Sequence, residues 1–348
     1  MADATEGMDP RAAESTEKLL RLIAAGRGKR IVVFGDLIAD EFVYGRIARV
    51  SREAPVLILE YDATEIVPGG AGNAATNVAS LGGTVRLVSL VGRDDPGRRL
   101  FRVLPRSVER EGLTRPGGYR TPVKTRILAG GIHSAKQQVV RIDRHTAEPV
   151  GDAQRTAAER AMKSAIKNAD AVLISDYGSG LVRPRFVTEL ASNLRTTKRQ
   201  VPILIDSRYA LTRYRGLTAC TPNESEVEQV LGVRIADHKT VLERAGRALL
   251  KRTRMACVLI TRGSRGMALF EPGKPTVHIP IFGSDQIADV TGAGDTVMAT
   301  MTLALAAGGT FEEAARLANF AGGLVVMKRG TATVSAAELR RAVGSGAP

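Results

Sequence analysis

The sequence predicts an α/β fold with a mainly parallel, doubly wound sheet and a small β lid. Four short, largely β-branched apolar runs are typical of buried parallel strands; they are Ile31–Phe34, Ala171–Ile174, Pro202–Ile205 and Cys257–Ile260. Stretches with helical spacing follow these runs and predict helices; they are Ala157–Lys167, Arg185–Leu194 and Val241–Lys251. Strands that alternate with helices favour a parallel sheet covered on both faces.

Two regions interrupt this alternation and predict the lid. Residues 42–61 and 119–143 are rich in β-forming residues with no helix between them. We expect two hairpins, with Val56–Glu60 pairing with Thr121–Leu128 in one small sheet. Hairpins inserted into an α/β core are typical of a lid over a ligand site, and surface decoration is the alternative.

Length and composition indicate a globular protein that works on small molecules. The 348 residues include 44% hydrophobic ones, enough for a large core. The net charge is +14, but Lys and Arg are spread along the chain, and six Tyr and eight Phe offer few stacking surfaces. We therefore expect attraction of small anionic substrates and no nucleic-acid partner.

The chain shows no pattern for export, membrane insertion or a structural metal. No apolar run approaches the roughly 20 residues of a membrane helix, and residues 1–10 are acidic and polar, so we expect a cytoplasmic protein without a signal peptide. Residues 1–29 predict a tail and a short helix near Leu19–Ile23, ahead of one domain over residues 30–348. Cys220 and Cys257 predict buried, reduced thiols, and the four histidines lack metal-ligand spacing.

The segment Asp289–Thr296 is the strongest chemical signal, and an apolar helix over Val297–Ala307 is predicted to follow it. Small residues let backbone N–H groups converge where the positive end of a helix points, which suits a transferring phosphoryl group. The residues of this anion hole are Gly292, Ala293 and Gly294. Asp295 at its mouth is a candidate base for an attacking hydroxyl; a glycine-rich turn with Asp295 as the helix N-cap is the alternative.

A second glycine-rich segment, Pro68–Ala79, precedes helix-like residues that begin at Ala74. Its glycines bring the backbone close to a ligand, and Asn73 offers a donor and an acceptor to a polyhydroxylated substrate. A dinucleotide fingerprint would follow the first strand directly, whereas these glycines follow a lid hairpin. A Walker A motif is also excluded, because Gly26–Arg30 has the wrong spacing.

These two segments join three shorter motifs, Gly35-Asp36, Thr221–Glu226 and Thr261–Gly263. Together, in this order, they resemble the ribokinase-like (PfkB) carbohydrate kinases over about residues 30–339. The resemblance implies ATP and Mg²⁺ as cofactors and Asp295 as the base. It implies sugar binding by Asp36, Gly69, Gly70 and Asn73. It also places Thr261, Gly263 and Asn319 near ATP, with Asn223 and Glu226 organising phosphates and magnesium-bound water; a helix N-terminus after Pro222 is the alternative for that last pair.

Within the family, the runs at residues 35–56, 68–83 and 289–297 resemble the bacterial D-glycero-β-D-manno-heptose 7-phosphate kinases. This likeness implies transfer of the ATP γ-phosphoryl group to that phosphosugar, giving the 1,7-bisphosphate of the ADP-heptose pathway. The implied substrate contacts are Asp36, Asp40, Lys124, Arg126, Gln138, Arg141 and Asp176. Each of these contacts has an alternative, because an alternating Lys-x-Arg strand is often a solvated face of the lid.

The chain departs from the heptose pattern at three places. Ser179 replaces a lysine, Asp206-Ser207-Arg208 replaces an Asp-Pro-Lys triplet, and the linker over residues 130–134 is longer. The sequence up to Pro348 contains no motif of a second domain that would transfer a nucleotidyl group, so we expect a stand-alone kinase. Alternatives are a kinase of another sugar, phosphosugar or nucleoside, and a non-catalytic sugar or nucleotide sensor.

Two further expectations follow from the resemblance. Potassium is expected near Asp289 and Thr291, opposite the segment Arg329–Ser335, where it could order the backbone of the anion hole. A homodimer that assembles through the β lid is also expected.

Overall fold

The computed structural model describes residues 10–130, 136–145, 149–196, 200–283, 289–328 and 330–345. The helices are α1 (Pro10–Gly26), α2 (Ala71–Ser80), α3 (Asp95–Val103), α4 (Asp152–Ala165), α5 (Pro184–Arg195), α6 (Glu224–Leu231), α7 (Lys239–Thr253), α8 (Ala293–Ala306), α9 (Phe311–Val326) and α10 (Ala336–Ser345). The strands are β1 (Arg30–Gly35), β2 (Leu37–Val50), β3 (Leu57–Gly70), β4 (Thr84–Leu90), β5 (Val108–Glu109), β6 (Leu113–Thr114), β7 (Val123–Gly130), β8 (Gln137–Arg144), β9 (Ala171–Asp176), β10 (Ile203–Ser207), β11 (Ala219–Cys220), β12 (Cys257–Thr261), β13 (Met267–Phe270) and β14 (Val277–Ile279).

The central sheet has the strand order β14-β13-β12-β11-β10-β9-β1-β4-β5, with β6 beside β4. Its strands run parallel except for β13 and β14, which are antiparallel to their neighbours at one edge. The predicted α/β fold is therefore confirmed, and each predicted strand lies in this sheet. The run predicted from Pro202 begins one residue later, at Ile203.

Two apolar cores lie on opposite faces of the central sheet, because successive residues of a strand point to opposite sides. In β1, Ile31 and Val33 join the core beneath α1, α2, α8, α9 and α10, whereas Val32 and Phe34 join the core beneath α4, α5, α6 and α7. Cys220 and Cys257 are buried free thiols, as expected. None of the described helices is both long and apolar enough to cross a membrane.

A separate four-stranded sheet forms the lid, with the order β3-β2-β7-β8. The single small sheet is confirmed, but the expected pairing of Val56–Glu60 with Thr121–Leu128 is wrong. β2 lies between them, antiparallel to β3 and parallel to β7. β2 follows the core strand β1 after a single residue, Asp36, and both β3 and β7 pair with it. Residues 131–134 of the predicted long linker lie outside the described residues.

Two helices that face each other begin earlier than predicted. Helix α2 begins at Ala71 rather than Ala74, and α8 at Ala293 rather than Val297. The residue ahead of each helix is a glycine with positive φ, 56° at Gly70 and 79° at Gly292. Glycine adopts this conformation without the steric cost that other residues bear. Each glycine-rich segment therefore ends in the first turn of a helix. The side chains and N–H groups of these two first turns are directed towards the same region, between α2 and α8.

Candidate active site

A cavity of about 250 Å³ opens where the carboxyl ends of β9, β10, β11 and β12 meet the beginning of α8. This edge is where ligands bind in parallel α/β sheets. We call it the acidic cavity, and its lining residues are Asp176, Tyr177, Asp206, Arg208, Thr221, Asn223, Glu226, Thr261, Val290, Gly292, Gly294 and Asp295. A larger cavity of about 430 Å³ lies at the opposite edge of the sheet, but the titratable side chain in its lining is Arg195 alone among the described residues.

The backbone at the beginning of α8 forms one wall of the acidic cavity. A Cβ atom at Gly292 would lie 2.6 Å from Asn73 Nδ2, whereas one at Gly294 would meet nothing within 4 Å. The N–H of Ala293 donates to the carbonyl of Val290 at 3.2 Å, so the expectation that it belongs to an anion hole needs correction. Across the described residues, the N–H groups of Gly292 and Gly294 have no backbone acceptor. These two groups, at the positive end of the helix, remain suited to an anion.

Asp295 lies in the first turn of α8 and is 5% exposed. Its Oδ2 accepts a hydrogen bond from Asn73 Nδ2 at 2.7 Å, and its Oδ1 accepts one from the Tyr177 hydroxyl at 3.4 Å. Burial raises the pKa of Asp295 to about 7, and the hydrogen bond from Asn73 opposes that rise. Gly292 is the N-cap, so the alternative that Asp295 caps the helix is wrong. A carboxyl group with a pKa near neutrality suits a general base.

Two further carboxyl groups are held beneath the site by hydrogen bonds. Asp36, between β1 and β2, accepts at Oδ2 from the N–H groups of Tyr177 at 2.9 Å and Ser179 at 3.1 Å. Burial, and then the charge of Asp176, raise the pKa of Asp36 to about 7. Asp176 accepts from the Tyr214 hydroxyl at 2.6 Å and from Ser207 Oγ at 2.8 Å. Asp176 lines the acidic cavity, and Asp36 does not.

Asp206 and Glu226 form the acidic wall that faces α8. Burial, and then the charge of Glu226, raise the pKa of Asp206 well above its usual value, and Arg208 opposes that rise. Glu226 Oε2 accepts from the N–H of Asn223 at 2.9 Å, and Asn223 Oδ1 accepts from the N–H of Glu226 at 2.9 Å. This pair caps α6, as the alternative interpretation proposed, and it also lines the cavity.

The oxygen donors of Asp206 and Glu226 fit magnesium. Mg²⁺ is usually bound by one or two carboxylates together with water and substrate phosphates. Within the described part of the chain there is no cluster of three or more His, Cys, Asp or Glu that could hold a metal alone. Two carboxylates beside an open space fit an ion that arrives with a nucleotide.

The remaining residues expected near ATP lie on three elements. Thr261 ends β12 and lines the acidic cavity. Gly263 follows in a tight turn with φ of 56°, and space is open beside it. Asn319 on α9 is 7% exposed and donates from Nδ2 to the Pro280 carbonyl at 2.8 Å, so it does not line the cavity.

A smaller cavity lies between the lid and the core, and we call it the lid cavity. Its lining residues are Ile38, Pro122, Val123, Lys124, Asp143, Arg144, His145, Tyr177, Ser179, Arg208 and Tyr209. Lys124 Nζ lies 4.3 Å from the centre of the Tyr177 ring, and burial lowers the pKa of Lys124. No carboxylate of the described residues lies within 4 Å of this ammonium group. Lys124 is therefore a half-buried cation that faces a cavity.

Arg126 differs from Lys124, although both lie on β7 near Asp40. Its Nη1 lies 2.6 Å from Asp40 Oδ1, and both side chains are nearly buried, with 11% and 9% exposed. Asp40 also packs against the lid glycines, because a Cβ at Gly69 would lie 2.3 Å from its Oδ2. A Cβ at Gly70 would lie 2.4 Å from the Asp36 carbonyl oxygen. The expectation that Arg126 and Asp40 contact substrate is therefore not supported, because each neutralises the other.

Gln138 and Arg141 are also not brought to the site. Both lie on β8, whose residues are all exposed, and neither lines the two cavities described here. Arg141 forms two hydrogen bonds with Asp143, at 2.9 and 3.0 Å. The alternative of a solvated lid face fits these two residues.

Asp289 connects the loop before α8 with the segment after α9. Its Oδ1 accepts from the N–H of Thr291 at 2.8 Å, and its Oδ2 accepts from the N–H of Gly330 at 3.2 Å. The buried Thr331 Oγ1 has no hydrogen-bond partner among the described residues. Arg329, part of the expected potassium site, lies outside them.

Sequence reasoning missed Tyr177, Asp206 and Arg208 as site residues. Tyr177 and Arg208 line both cavities, and Asp206 lines the acidic one. Each lies at or just after the carboxyl end of a parallel strand, β9 or β10. That position, at the edge where such sheets bind ligands, was the signal that could have identified them.

Comparisons with known proteins give a family and a fold. The model of the pfkB family carbohydrate kinases matches residues 29–338. Bifunctional protein HldE of Geobacter metallireducens is 39% identical over 93% of this chain and 64% of its own length. Bifunctional protein HldE of Caulobacter vibrioides is 38% identical over 94% of this chain and 66% of its own length. The chain thus spans just under two thirds of the length of these curated relatives.

Solved structures with low sequence identity share the fold over nearly the whole chain. Phosphofructokinase-2 from Escherichia coli in complex with potassium superposes with a TM-score of 0.71 at 17% identity, covering 92% of this chain and 99% of that one. Arabidopsis thaliana ribokinase complexed with ribose and ATP superposes with a TM-score of 0.66 at 20% identity, covering 92% and 98%. At such identities the likeness shows the fold alone.

Proposed function

This chain belongs to the pfkB family of carbohydrate kinases, and we propose that it transfers the γ-phosphoryl group of ATP to a hydroxyl of a phosphorylated sugar. The observation that carries this proposal is the placement of Asp295. Its buried carboxyl group, with a pKa of about 7, lies beside the open backbone of Gly294 at the positive end of α8. A base and an anion site side by side are what transfer to a hydroxyl needs.

We assign the steps of the transfer to residues of the acidic cavity. Asp295 takes the proton of the acceptor hydroxyl while the hydroxyl oxygen attacks the γ-phosphorus atom and the bond to ADP breaks. The N–H groups of Gly292 and Gly294 stabilise the charge on the transferring group. Magnesium, when bound with the nucleotide, neutralises phosphate charge, and Asp206 and Glu226 would hold it through oxygen donors or water.

We propose D-glycero-β-D-manno-heptose 7-phosphate as the acceptor. The motifs resemble those of the heptose 7-phosphate kinases, and the lid cavity offers Lys124 and Arg208 to an anionic group. Arg208 lines both cavities and occupies the position at which the heptose 7-phosphate kinases have lysine. Arginine still binds phosphate, with a planar, forked set of donors. The change at this position therefore preserves the charge that a phosphosugar needs.

Potassium and a homodimer are two further parts of the proposal. Thr331 Oγ1 has no hydrogen-bond partner among the described residues, it follows Gly330, whose N–H donates to Asp289, and it is an oxygen ligand of the kind that potassium takes. The edge strand of the lid, β8, exposes Val139, Val140 and Ile142 by 45%, 46% and 49%. Exposed apolar side chains on an edge strand favour association with a second copy.

A comparison of acceptors tests the proposed substrate. ADP release would be measured with the heptose 7-phosphate, ribose, fructose 6-phosphate and adenosine at equal concentrations. We expect a higher kcat/KM for the two phosphosugars than for ribose or adenosine, because only a phosphorylated acceptor would use Lys124 and Arg208, and the motif likeness favours the heptose 7-phosphate over fructose 6-phosphate. Higher kcat/KM for ribose or adenosine than for the phosphosugars would contradict the phosphosugar proposal, and no turnover with any of the four would contradict the proposed acceptor.

A further inference from the structure

We propose that Asn77 and Thr296 are positioning residues for the catalytic base. With Asn73 they form a buried chain of hydrogen bonds that ends on Asp295. Neither Asn77 nor Thr296 lines a described cavity, so substrate contact does not explain them. The inference rests on the proposed role of Asp295 as the base, and it holds for any sugar acceptor.

The chain of hydrogen bonds runs in one direction. Thr296 Oγ1 donates to Asn77 Oδ1 at 2.9 Å, and Asn77 Nδ2 donates to Asn73 Oδ1 at 3.0 Å. Asn73 Nδ2 then donates to Asp295 Oδ2 at 2.7 Å. Thr296 and Asn77 are 0% exposed, Asn73 is 2% and Asp295 is 5%. Bulk water therefore does not reach Thr296 or Asn77, and the hydrogen bonds join α2 to α8.

A contact outside this series of hydrogen bonds fixes the orientation of the Asn77 amide. Its Nδ2 also donates to the Asn73 backbone carbonyl at 3.1 Å, and only the NH₂ end of an amide can donate to a carbonyl. Asn77 Oδ1 must therefore face Thr296, whose hydroxyl supplies the hydrogen. The Thr296 hydroxyl also lies 3.3 Å from the Gly292 carbonyl, and the shorter contact, to Asn77 at 2.9 Å, is the one that satisfies the Asn77 oxygen.

The orientation of Asn77 then determines that of Asn73. If the Asn73 amide were reversed, its oxygen would lie about 2.7 Å from the Asp295 carboxylate, and its NH₂ would face the NH₂ of Asn77. Both contacts would be repulsive in a buried site of low dielectric constant. The chain thus keeps a donor directed at the base, which favours the ionised carboxylate that accepts a proton.

Two substitutions test this role through the pH profile of kcat. Asn77→Leu keeps a branched side chain but removes the donor to Asn73. Because the ionised Asp295 loses support, its pKa should rise and the acid limb of kcat should move to higher pH by about half to one pH unit. At pH 6 this corresponds to a loss of about three- to tenfold, with turnover close to wild type at pH 9.

Thr296→Val and Thr296→Ser form a matched pair. Valine keeps the shape without the hydroxyl and should move the acid limb in the same direction, whereas serine keeps the donor and should restore the wild-type profile. A purely structural role would lower turnover equally at every pH. Should Asn77→Leu fail to fold, the threonine pair decides the question.

A carbon-13 titration of the Asp295 carboxyl group, assigned by its loss in Asp295→Asn, measures the same pKa without turnover. An acid limb and a carboxyl titration unchanged in Asn77→Leu and Thr296→Val would overturn the positioning role. If Asp295→Asn nevertheless abolishes turnover, the proposed function stands and only the positioning role fails. Turnover of Asp295→Asn close to wild type would instead contradict Asp295 as the base.

Discussion

Replacement of Asp295 by asparagine separates the chemistry of the base from its cost in stability. The amide has the shape of the carboxyl group and can keep the hydrogen bond from Asn73, so we expect the fold to be retained. Without a carboxylate to accept the hydroxyl proton, turnover at pH 8 should fall by about 10²- to 10⁴-fold. The KM for ATP should change little, because the proposed role of Asp295 concerns the acceptor hydroxyl.

The same substitution should stabilise the protein above neutral pH. Burial raises the pKa of Asp295 from 3.8 to about 7, so the carboxyl group is easier to ionise in the unfolded chain. Its favourable contribution to the free energy of unfolding is therefore complete below pH 3.8 and is lost as the pH rises to about 7. At about 1.4 kcal/mol per pH unit, the wild type loses about 4 kcal/mol relative to Asp295→Asn.

Urea unfolding of both proteins at pH 5 and pH 8 measures this loss. The Asp295 carboxyl group titrates at pH 3.8 in the unfolded chain and at about pH 7 in the folded protein. About 3 kcal/mol of the loss in unfolding free energy should therefore fall between pH 5 and pH 8. Asp36 titrates in the same range but is present in both proteins, so its contribution cancels in the difference. An equal difference in unfolding free energy at pH 5 and pH 8 would refute the titration of a buried Asp295 near neutrality. Turnover within threefold of wild type would refute its role as the base.

Three further predictions concern the lid and the loop before α8. Lys124→Ala should raise KM for the phosphosugar about ten- to a hundredfold and leave KM for ATP unchanged. The control Arg141→Ala, on exposed β8, should change neither KM. Equal kinetics for the two variants would exclude Lys124 as a phosphate contact. Arg126→Ala should lower the free energy of unfolding by about 3 kcal/mol, measured in urea, because Asp40 is left buried and unpaired; a loss below 1 kcal/mol would show that the pair is not desolvated. Turnover should be higher in potassium than in sodium buffer at equal ionic strength, because a potassium ion near Thr331 would order the loop before α8; identical rates would dismiss the potassium site.

The sequence predicted the core sheet better than the lid, for a physical reason. Buried parallel strands such as Val32–Phe34 within β1 are continuous apolar runs that few other structures produce. In the lid, alternation identifies strands but not their partners, so the central place of β2 was missed. Pairing depends on where a strand leaves the core, and a periodicity within the strand carries no such information.

In the site, too, local patterns could be predicted from the sequence, and contacts between residues far apart in the sequence could not. The glycines around residue 292 and the following Asp295 form a local pattern, so their proximity could be predicted from their spacing. The sequence does not reveal that Arg126 is neutralised, because its partner, Asp40, is 86 residues away. Tyr177 and Asp206 belong to neither glycine-rich segment, and the order of the sheet brings the ends of β9 and β10 together at the acidic cavity.

The lid hairpin leaves and re-enters the core at one point, since Leu37 at the beginning of β2 pairs with Gly70 at the end of β3. Each of these strands has 14 residues, so at roughly 3.3 Å per residue the connecting turn lies several tens of ångströms from that anchor. Insertions or deletions at residues 51–56 would therefore leave the spacing between Asp36 and the Gly70–Ala71 junction unaltered. The hairpin can change length over evolution, or accept a grafted peptide, while the residues at its base stay in place.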